Sequence, residues 1–480
     1  MNDPNYATED IGFRSAESLL EGLTNHEFNS TELVNVFLER IQAVDEPEQG
    51  LNSILALSAD ALDQANFLDQ SENIGPLHGL PILIKDNIQA IGLPATAGSL
   101  ALAGRTVTQD AELVARLRKA GAVIMGATNL SEWANIRSSM STSGWSAVGG
   151  LTANPWNYKY SAGGSSSGSG SSVAAGITPL AVGTETDGSI VCPASFNGCV
   201  GIKPTVGVVS RDGVVPISNS QDSPGSMARS VRDAALLLEV LSGQGGLLEV
   251  CDNTESLRVG IVRSWLSNDE HANALFEDTC AVLAKSGIYL SEITIPEMSQ
   301  EVGDDEGVVL FHEHVEDLGA YLLQRPGSGV TSLTDVIEFN IANSVEEMKY
   351  FHQDYLELAA ASGGRNAKYT AARQRNLDWA LNQILLPAIS GVDVLIGVPY
   401  GPAWLSTLGK GDDFGKAGWM THAPAIAGWP IASIPMGLVD GLPIGLGVTA
   451  RANDERGLVR AMSIIERSLG LGVLRPTFIR

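Results

Sequence analysis

Cysteine is scarce: the 480-residue chain has four, at positions 192, 199, 251 and 280, and no two form a CxxC pair. That count and spacing exclude a disulfide framework and a thiolate metal centre. Histidine is sparse as well, with seven residues. The one close pair, His312 and His314, is spaced i,i+2, which turns the two rings to different sides of a helix. No metal and no cofactor are expected. Positive charge is short, with 30 Lys and Arg against 55 Asp and Glu and a formal net charge of −25. Nucleic acid and anionic membrane surfaces are therefore disfavoured partners, because both are polyanions. Long apolar runs are missing. The longest uncharged stretch, residues 160–184, is mostly serine and glycine in its first half and too short in its apolar part to span a bilayer. The start, MNDPNYATEDIGFRS, has neither a basic n-region nor an apolar h-region, so a reducing, cytoplasmic setting is the expectation.

What is present is a globular composition, 44% hydrophobic and 18% charged, able to bury a large core. Apolar residues at helical spacing between Phe13 and Val44 predict two amphipathic helices, with Thr24 and Glu27 as a capping box before the second. Leu80 to Ile84 reads as a buried strand that delivers Lys85-Asp86-Asn87 at its C-terminal end, where sites form in α/β sheets. A helix over 110–120, strands over 122–126 and 179–186, and a Ser230-capped helix over 234–241 continue the alternation. Further strands are expected at 257–262 and 392–398, then a hairpin around Val439-Asp440-Gly441-Leu442 and a helix from Glu455 to Leu469. Residues 266–390 are richer in charge and helix formers and read as a helical cover that sets specificity.

The stretch GGSSSGSGSS, residues 163–172, has the composition of a flexible spacer. It lacks the spacing of a phosphate loop, and no Lys or Arg stands between 160 and 184 to hold an anion. It contains GxSxG with Ser166 at the centre, and His422 could stand as its base, but no apolar strand precedes it as a nucleophile elbow requires. A lysine-based serine hydrolase is the other option. A buried lysine can be neutral and accept a serine proton, and Lys85 ends a very apolar strand. Downstream, Gly183-Thr184-Glu185-Thr186-Asp187-Gly188-Ser189 breaks from a strand into a turn of successive backbone N–H groups, the kind of nest a developing oxyanion needs.

Four separated blocks, GLPILIKDN at 79–87, GATNLSEWAN at 126–135, AGGSSSGSG at 162–170 and GTETDGSIVCPASFNGCVGIKPTVG at 183–207, resemble the amidase signature family in order and spacing. The likeness spans about residues 12–470. SEWANIRSS, STSGWSA, TETDGSI and VSRDGVVPIS bring it nearest to the peptide amidase branch. The resemblance implies an α/β fold, a single amidase domain over 1–480 with a twisted mixed sheet covered by helices on both faces. Residues 1–75 would pack N-terminal helices on the core, 76–245 form the signature core and 391–480 return to the sheet. It implies a Ser-cisSer-Lys triad of Lys85, Ser165 and Ser189, a cis bond between Gly164 and Ser165, and an oxyanion hole from the backbone N–H groups of Thr186, Asp187, Gly188 and Ser189. Ser166 and Thr184 would support the relay, and Asn135 and Asp187 the pocket. Two departures stand out: the commoner TDTGGS is TETDGS here, and Val191 replaces a frequent arginine. The expected activity is hydrolysis of a neutral carboxamide, a C-terminal peptide amide or an amino-acid amide. Aryl-acylamides, carbamates and the glutaminase subunit of a tRNA amidotransferase are the alternatives. No oligomeric state is written in the pattern.

Overall fold

The computed structural model describes residues 11–477 apart from 47, 48, 105, 106, 326 and 328. The reading of residues 1–10 as lacking a leader lies outside the described residues.

Two helices open the described chain, α1 (Ala16–Thr24) and α2 (Ser30–Val44). The cap expected at Thr24 is not there. Thr24 is the last residue of α1, and its hydroxyl donates back to the Leu20 carbonyl. The reciprocal box belongs to Asn29 and Glu32, each side chain accepting from the other's backbone N–H. A threonine one turn inside a helix has a carbonyl in reach and needs no orphan N–H.

The core is one sheet of eleven strands. In chain order the strands are β1 (Ile54–Leu57), β2 (Pro81–Lys85), β3 (Val123–Thr128), the short pair β4 (Trp145–Ser146) and β5 (Gly150–Leu151), β6 (Leu180–Glu185), β7 (Val200–Lys203), β8 (Ser223–Ala228), β9 (Arg258–Val262), β10 (Tyr289–Ile293), β11 (Val394–Gly397), β12 (Ile431–Val439) and β13 (Leu442–Thr449). β4 and β5 pair apart from the sheet, whose order is β1-β3-β2-β6-β8-β7-β12-β13-β11-β9-β10. β2 runs parallel to both neighbours, β3 and β6, whereas β6, β8 and β7 alternate antiparallel. Every residue of β2, β3, β6, β8 and β13 is buried. Successive side chains of a strand face opposite ways, so both faces of the sheet centre are covered. The edges differ: β1 is half-buried and β10 is largely exposed.

The helices that matter for the site are α3 (Ala61–Asp69), α4 (Glu112–Lys119), α5 (Ser167–Ala174), α6 (Val191–Asn197), α7 (Val231–Ser242) and α8 (Leu247–Cys251), followed by α9 (Glu270–Lys285), α10 (Gln300–Gln324), α11 (Leu333–Ala342), α12 (Ser344–Glu347), α13 (Asp354–Ser362) and α14 (Ala367–Leu377). α14 runs on as a π-helical stretch, Asp378–Leu385. Last come α15 (His422–Ala427) and α16 (Glu455–Leu469). The cap at Ser230 is half of a box. Its hydroxyl accepts from Asp233 N, while the Asp233 carboxylate turns to Ala16 N and Glu17 N at the start of α1.

α5 is built from SGSGSSVA, a poor helix former by propensity, yet all eight of its residues are buried. Its serines satisfy themselves locally and across: Ser169 Oγ donates to the Val182 carbonyl at 3.1 Å and Ser171 Oγ to the Ala153 carbonyl at 2.9 Å. Gly168 faces backbone so closely that an added Cβ would stand 2.6 Å from the Asn129 carbonyl oxygen. Gly168→Ala is therefore expected to destabilise the protein by about 1–3 kcal/mol. A urea denaturation midpoint equal to that of the parent would contradict this.

Candidate functional site

Lys85 sits at the C-terminal end of β2, flanked by β3 and β6, with no exposed surface. Its Nζ donates to Ser165 Oγ at 2.7 Å, to Thr184 Oγ1 at 2.9 Å and to the Thr184 carbonyl at 3.2 Å. Burial lowers its pKa to about 7, against the opposing pull of the Asp222 and Glu185 carboxylates. A neutral amine is thus accessible near neutrality. Ser165 follows a cis bond from Gly164. Its carbonyl accepts from Ser131 N, and the next residue, Ser166, donates its N–H to the Ser189 carbonyl. That bond ties the start of α5 to the turn between β6 and α6.

Ser189 occupies that turn. It lines a cavity of about 170 Å³ together with Asn135, Thr186, Asp187, Tyr400 and Trp404, whereas Lys85 and Ser165 lie behind the wall. The backbone N–H groups of Thr186, Asp187, Gly188 and Ser189 have no protein acceptor among the described residues. Buried N–H groups are nearly always paired, so four in a row beside a cavity mark a place for an incoming acceptor. Gly188 has φ +77°, and a side chain there would run into the Tyr400 hydroxyl. Two carboxylates hold the turn. Glu185 Oε2 accepts from Ile190 N at 2.7 Å and Val191 N at 2.9 Å. Asp222 accepts from Thr186 Oγ1 at 2.6 Å and from Ile217 N and Ser218 N. Burial raises the Asp222 carboxyl to about 6.

The remaining sequence-derived residues separate here. Thr184 Oγ1 accepts from both Lys85 and Asn87. Ser166 Oγ donates to the Thr184 carbonyl at 3.0 Å and does not line the cavity. The elbow reading of Ser166 with His422 fails on that geometry, because the hydroxyl is spent inside the fold and His422 Nδ1 faces two carboxylates instead. Asn135 lines the cavity in a left-handed conformation, φ +80°, and its buried Oδ1 has no hydrogen-bond partner among the described residues. Val191, in place of the frequent arginine, is buried among Cys192, Phe196 and Tyr400.

These features sit in a chain of known kin. Residues 32–459 match the family described as Amidase. A probable amidase of Arabidopsis thaliana is 33% identical over 486 residues, covering 96% of this chain and 91% of the relative. The chain belongs to the amidase signature family. The crystal structure of native peptide amidase from Stenotrophomonas maltophilia superposes on this amidase with a TM-score of 0.90 at 37% identity, covering 97% of this chain and 99% of that one. A glutamyl-tRNA(Gln) amidotransferase subunit of Methanosarcina mazei is 32% identical, over 94% of this chain and 96% of the relative. The protein is thus an amide C–N hydrolase with the single-domain α/β fold of the peptide amidases. No described helix of this amidase is long and apolar enough to cross a membrane.

The amidase site also contains residues that the sequence reading missed. Asp222 braces its turn from just before β8, and Glu306, Leu310, Tyr400, Trp404, Phe414 and Asp412 reach it from the second half of the chain. The segment after β11 carries the aromatic wall: Trp404 packs edge-on to Phe196 at 4.7 Å and to Phe414 at 5.2 Å. Its clustered aromatics around Gly and Pro were the only signal. Among the described residues one group has metal-ligand character, Asp187, Glu306 and His422. None of the three is near another in sequence.

Proposed function

We propose that this amidase hydrolyses neutral primary carboxamides, the C-terminal amides of peptides or amino-acid amides, with Ser189 as nucleophile. One observation carries the assignment: of Lys85, Ser165 and Ser189, only Ser189 opens on the cavity, while Ser165 is fully buried and bonded to the amine. Neutral Lys85 takes the proton of Ser165 Oγ, Ser165 takes that of Ser189, and Ser189 Oγ adds to the amide carbonyl carbon. The free N–H groups of 186–189 receive the oxyanion, in most acyl transfers the largest single stabilising contribution. The proton returns through Ser165 to the nitrogen, the C–N bond breaks and ammonia leaves. Water then adds to the seryl ester along the same relay and releases the carboxylate. Ser166 and Thr184 hold the relay in register, Asn135 shapes the pocket wall, and residues 266–390 set specificity through Leu310, which lines it. The peptide amidase of Stenotrophomonas maltophilia supports the substrate class.

The test is ammonia release from a panel of peptide amides, amino-acid amides, anilides, carbamates and free glutamine, with Ser189→Ala as the blank. Turnover confined to anilides or carbamates would move the substrate to the aryl-acylamide or carbamate class. Turnover confined to glutamine would make the chain a glutaminase of the amidotransferase kind.

The lysine base makes a pH prediction. Protonated Lys85 cannot accept a proton, so log kcat/KM should rise about one unit per pH unit below about 7 and level off above it. A profile that falls between pH 5 and 8 excludes Lys85 as the base.

A further inference from the structure

The family's usual TDTGGS turn carries no acid where Asp187 stands, and a carboxylate there faces a physical difficulty. It lies inside the oxyanion nest and lines the same cavity as Ser189, so its charge opposes the negative charge that develops on the substrate oxygen. The fold places a counter-charge on it. His422, the first residue of α15, directs Nδ1 to Asp187 Oδ2 at 2.8 Å and to Glu306 Oε2 of α10, also at 2.8 Å. The exposed Trp419 ring stacks on the imidazole at 5.4 Å and 23°. Gln221 Nε2 fixes the other oxygen of Glu306 at 2.9 Å. Asp187 Oδ1, by contrast, has no partner among the described residues.

We propose that His422 is a positioning residue that holds its proton, neutralises Asp187 and anchors it to Glu306, so that an acid is tolerated beside the oxyanion hole. This rests on the proposed Ser189 chemistry. The imidazolium is the form the surroundings select. Burial disfavours its charge, yet the facing Asp187 and Glu306 carboxylates outweigh that and raise its pKa well above the ordinary histidine value. The same contact lowers the Asp187 carboxyl despite its burial, while burial and Asp187 together raise Glu306. Other titratable groups face the cluster from the elements around it. Arg373 of α14 acts on Glu306, and Lys203 of β7, Glu185 of β6 and the Tyr400 phenol act on Asp187. The arrangement also ties the 266–390 cover to the reacting turn through a single bond network. That gives the helical cover a route to tune the chemistry without touching substrate.

Two variants and their combination test it. His422→Gln keeps the ring's approximate volume and a hydrogen-bond donor but leaves Asp187 uncompensated, and should lower kcat about 30-fold with KM changed by less than about threefold. Asp187→Asn alone should cost less than about fivefold in kcat. In the double variant Asp187→Asn, His422→Gln the charge that needs compensation is gone. Its kcat should recover at least about tenfold over His422→Gln. A double variant as slow as His422→Gln, or slower, assigns His422 a merely structural role and overturns the proposal. So does loss of activity on exhaustive EDTA dialysis that is restored by Zn²⁺, which would make the cluster a metal site. A second readout does not need turnover. In histidine-labelled protein the His422 imidazole resonance, assigned by its absence in His422→Gln, should stay in the charged form well past neutral pH. Its titration should drop towards the ordinary histidine range in Asp187→Asn. An imidazole that titrates alike in both proteins refutes the counter-ion even if no amide is turned over, whereas failure of the substrate reading appears only in the ammonia screen.

Discussion

Ser189→Ala is expected to reduce amide turnover by about three orders of magnitude or more with the fold intact, since only the nest and the pocket then remain to favour the transition state. The neighbouring hydroxyls provide the contrast. Ser165→Ala interrupts the relay and should fall nearly as far, because its Oγ receives the Lys85 bond at 2.7 Å. Ser166→Ala removes the bond to the Thr184 carbonyl and the one accepted from Thr184 N; it should cost about 1–3 kcal/mol of stability and retain most activity. Equal loss in all three would mean that the tract acts through structure alone. Lys85→Met should match Ser189→Ala in activity, and its stability distinguishes function from architecture. A lysine held near 7 instead of 10.5 withholds about 4 kcal/mol from the folded state at neutral pH. That penalty is full below about pH 7, where the folded state must carry the buried charge, and fades between about 7 and 10.5, where only the unfolded chain still binds the proton. An apolar side chain of similar length escapes it, and loses only the bonds to Ser165 and Thr184. The variant should therefore melt at or above the parent temperature while inactive, the signature of a residue kept for chemistry. A clear drop in melting temperature would assign Lys85 a structural part.

The largest stability effect is expected away from the reacting atoms, at Arg137. Its guanidinium has no exposed surface and meets Glu132 Oε1 at 2.7 Å and Glu347 Oε2 at 3.5 Å, with both acids buried. It also donates to the Glu347 and Phe351 carbonyls, and Phe351 and Trp145 cover it at 4.1 and 5.3 Å. Burial already raises the Glu132 carboxyl well above its usual range, even beside the arginine. Arg137→Met leaves two buried acids without their cation and should cost about 3–5 kcal/mol. Adding Glu132→Gln should recover part of it, because one of the stranded charges goes. The readout is the urea denaturation curve of the three proteins, and a single variant within about 1 kcal/mol of the parent would exclude the buried-charge account. Activity should fall too. Arg137 closes the segment in which Trp133, Ala134 and Asn135 all adopt positive φ, and Asn135 forms part of the cavity wall.

Legibility varied with how local the cause was. The buried strand ending in Lys85 and the helix Glu455–Leu469 were readable because apolar period and neighbouring caps act over a few residues. β8 was not: SPGSMA has little strand propensity, and it is a strand because β6 and β7 pair with it on both sides. Gly225 is needed there, since a Cβ would run into the Ile202 carbonyl. β10 was lost for the opposite reason, as an edge strand with exposed faces has no apolar alternation to read. The box expected at Thr24 failed because α1 runs through Thr24, whose hydroxyl turns back to the Leu20 carbonyl, and the cap falls to Asn29 with Glu32, a pair the sequence reading missed.

By itself the sequence determined the family, the α/β class and the identities of the lysine and serines brought together here, because those depend on residue type and order within blocks that fold locally. The tract GGSSSGSGSS was never a spacer for the same reason: its glycines admit backbone and its serines donate to the carbonyls of neighbouring segments such as Val182 and Ala153. That Ser189 and not Ser165 opens on the cavity, and which charged groups meet Asp187, is visible only in the tertiary structure. Glu306 and His422 lie more than one hundred residues from the turn they secure. Charge compensation depends on distance in space, and no periodicity along the chain records it.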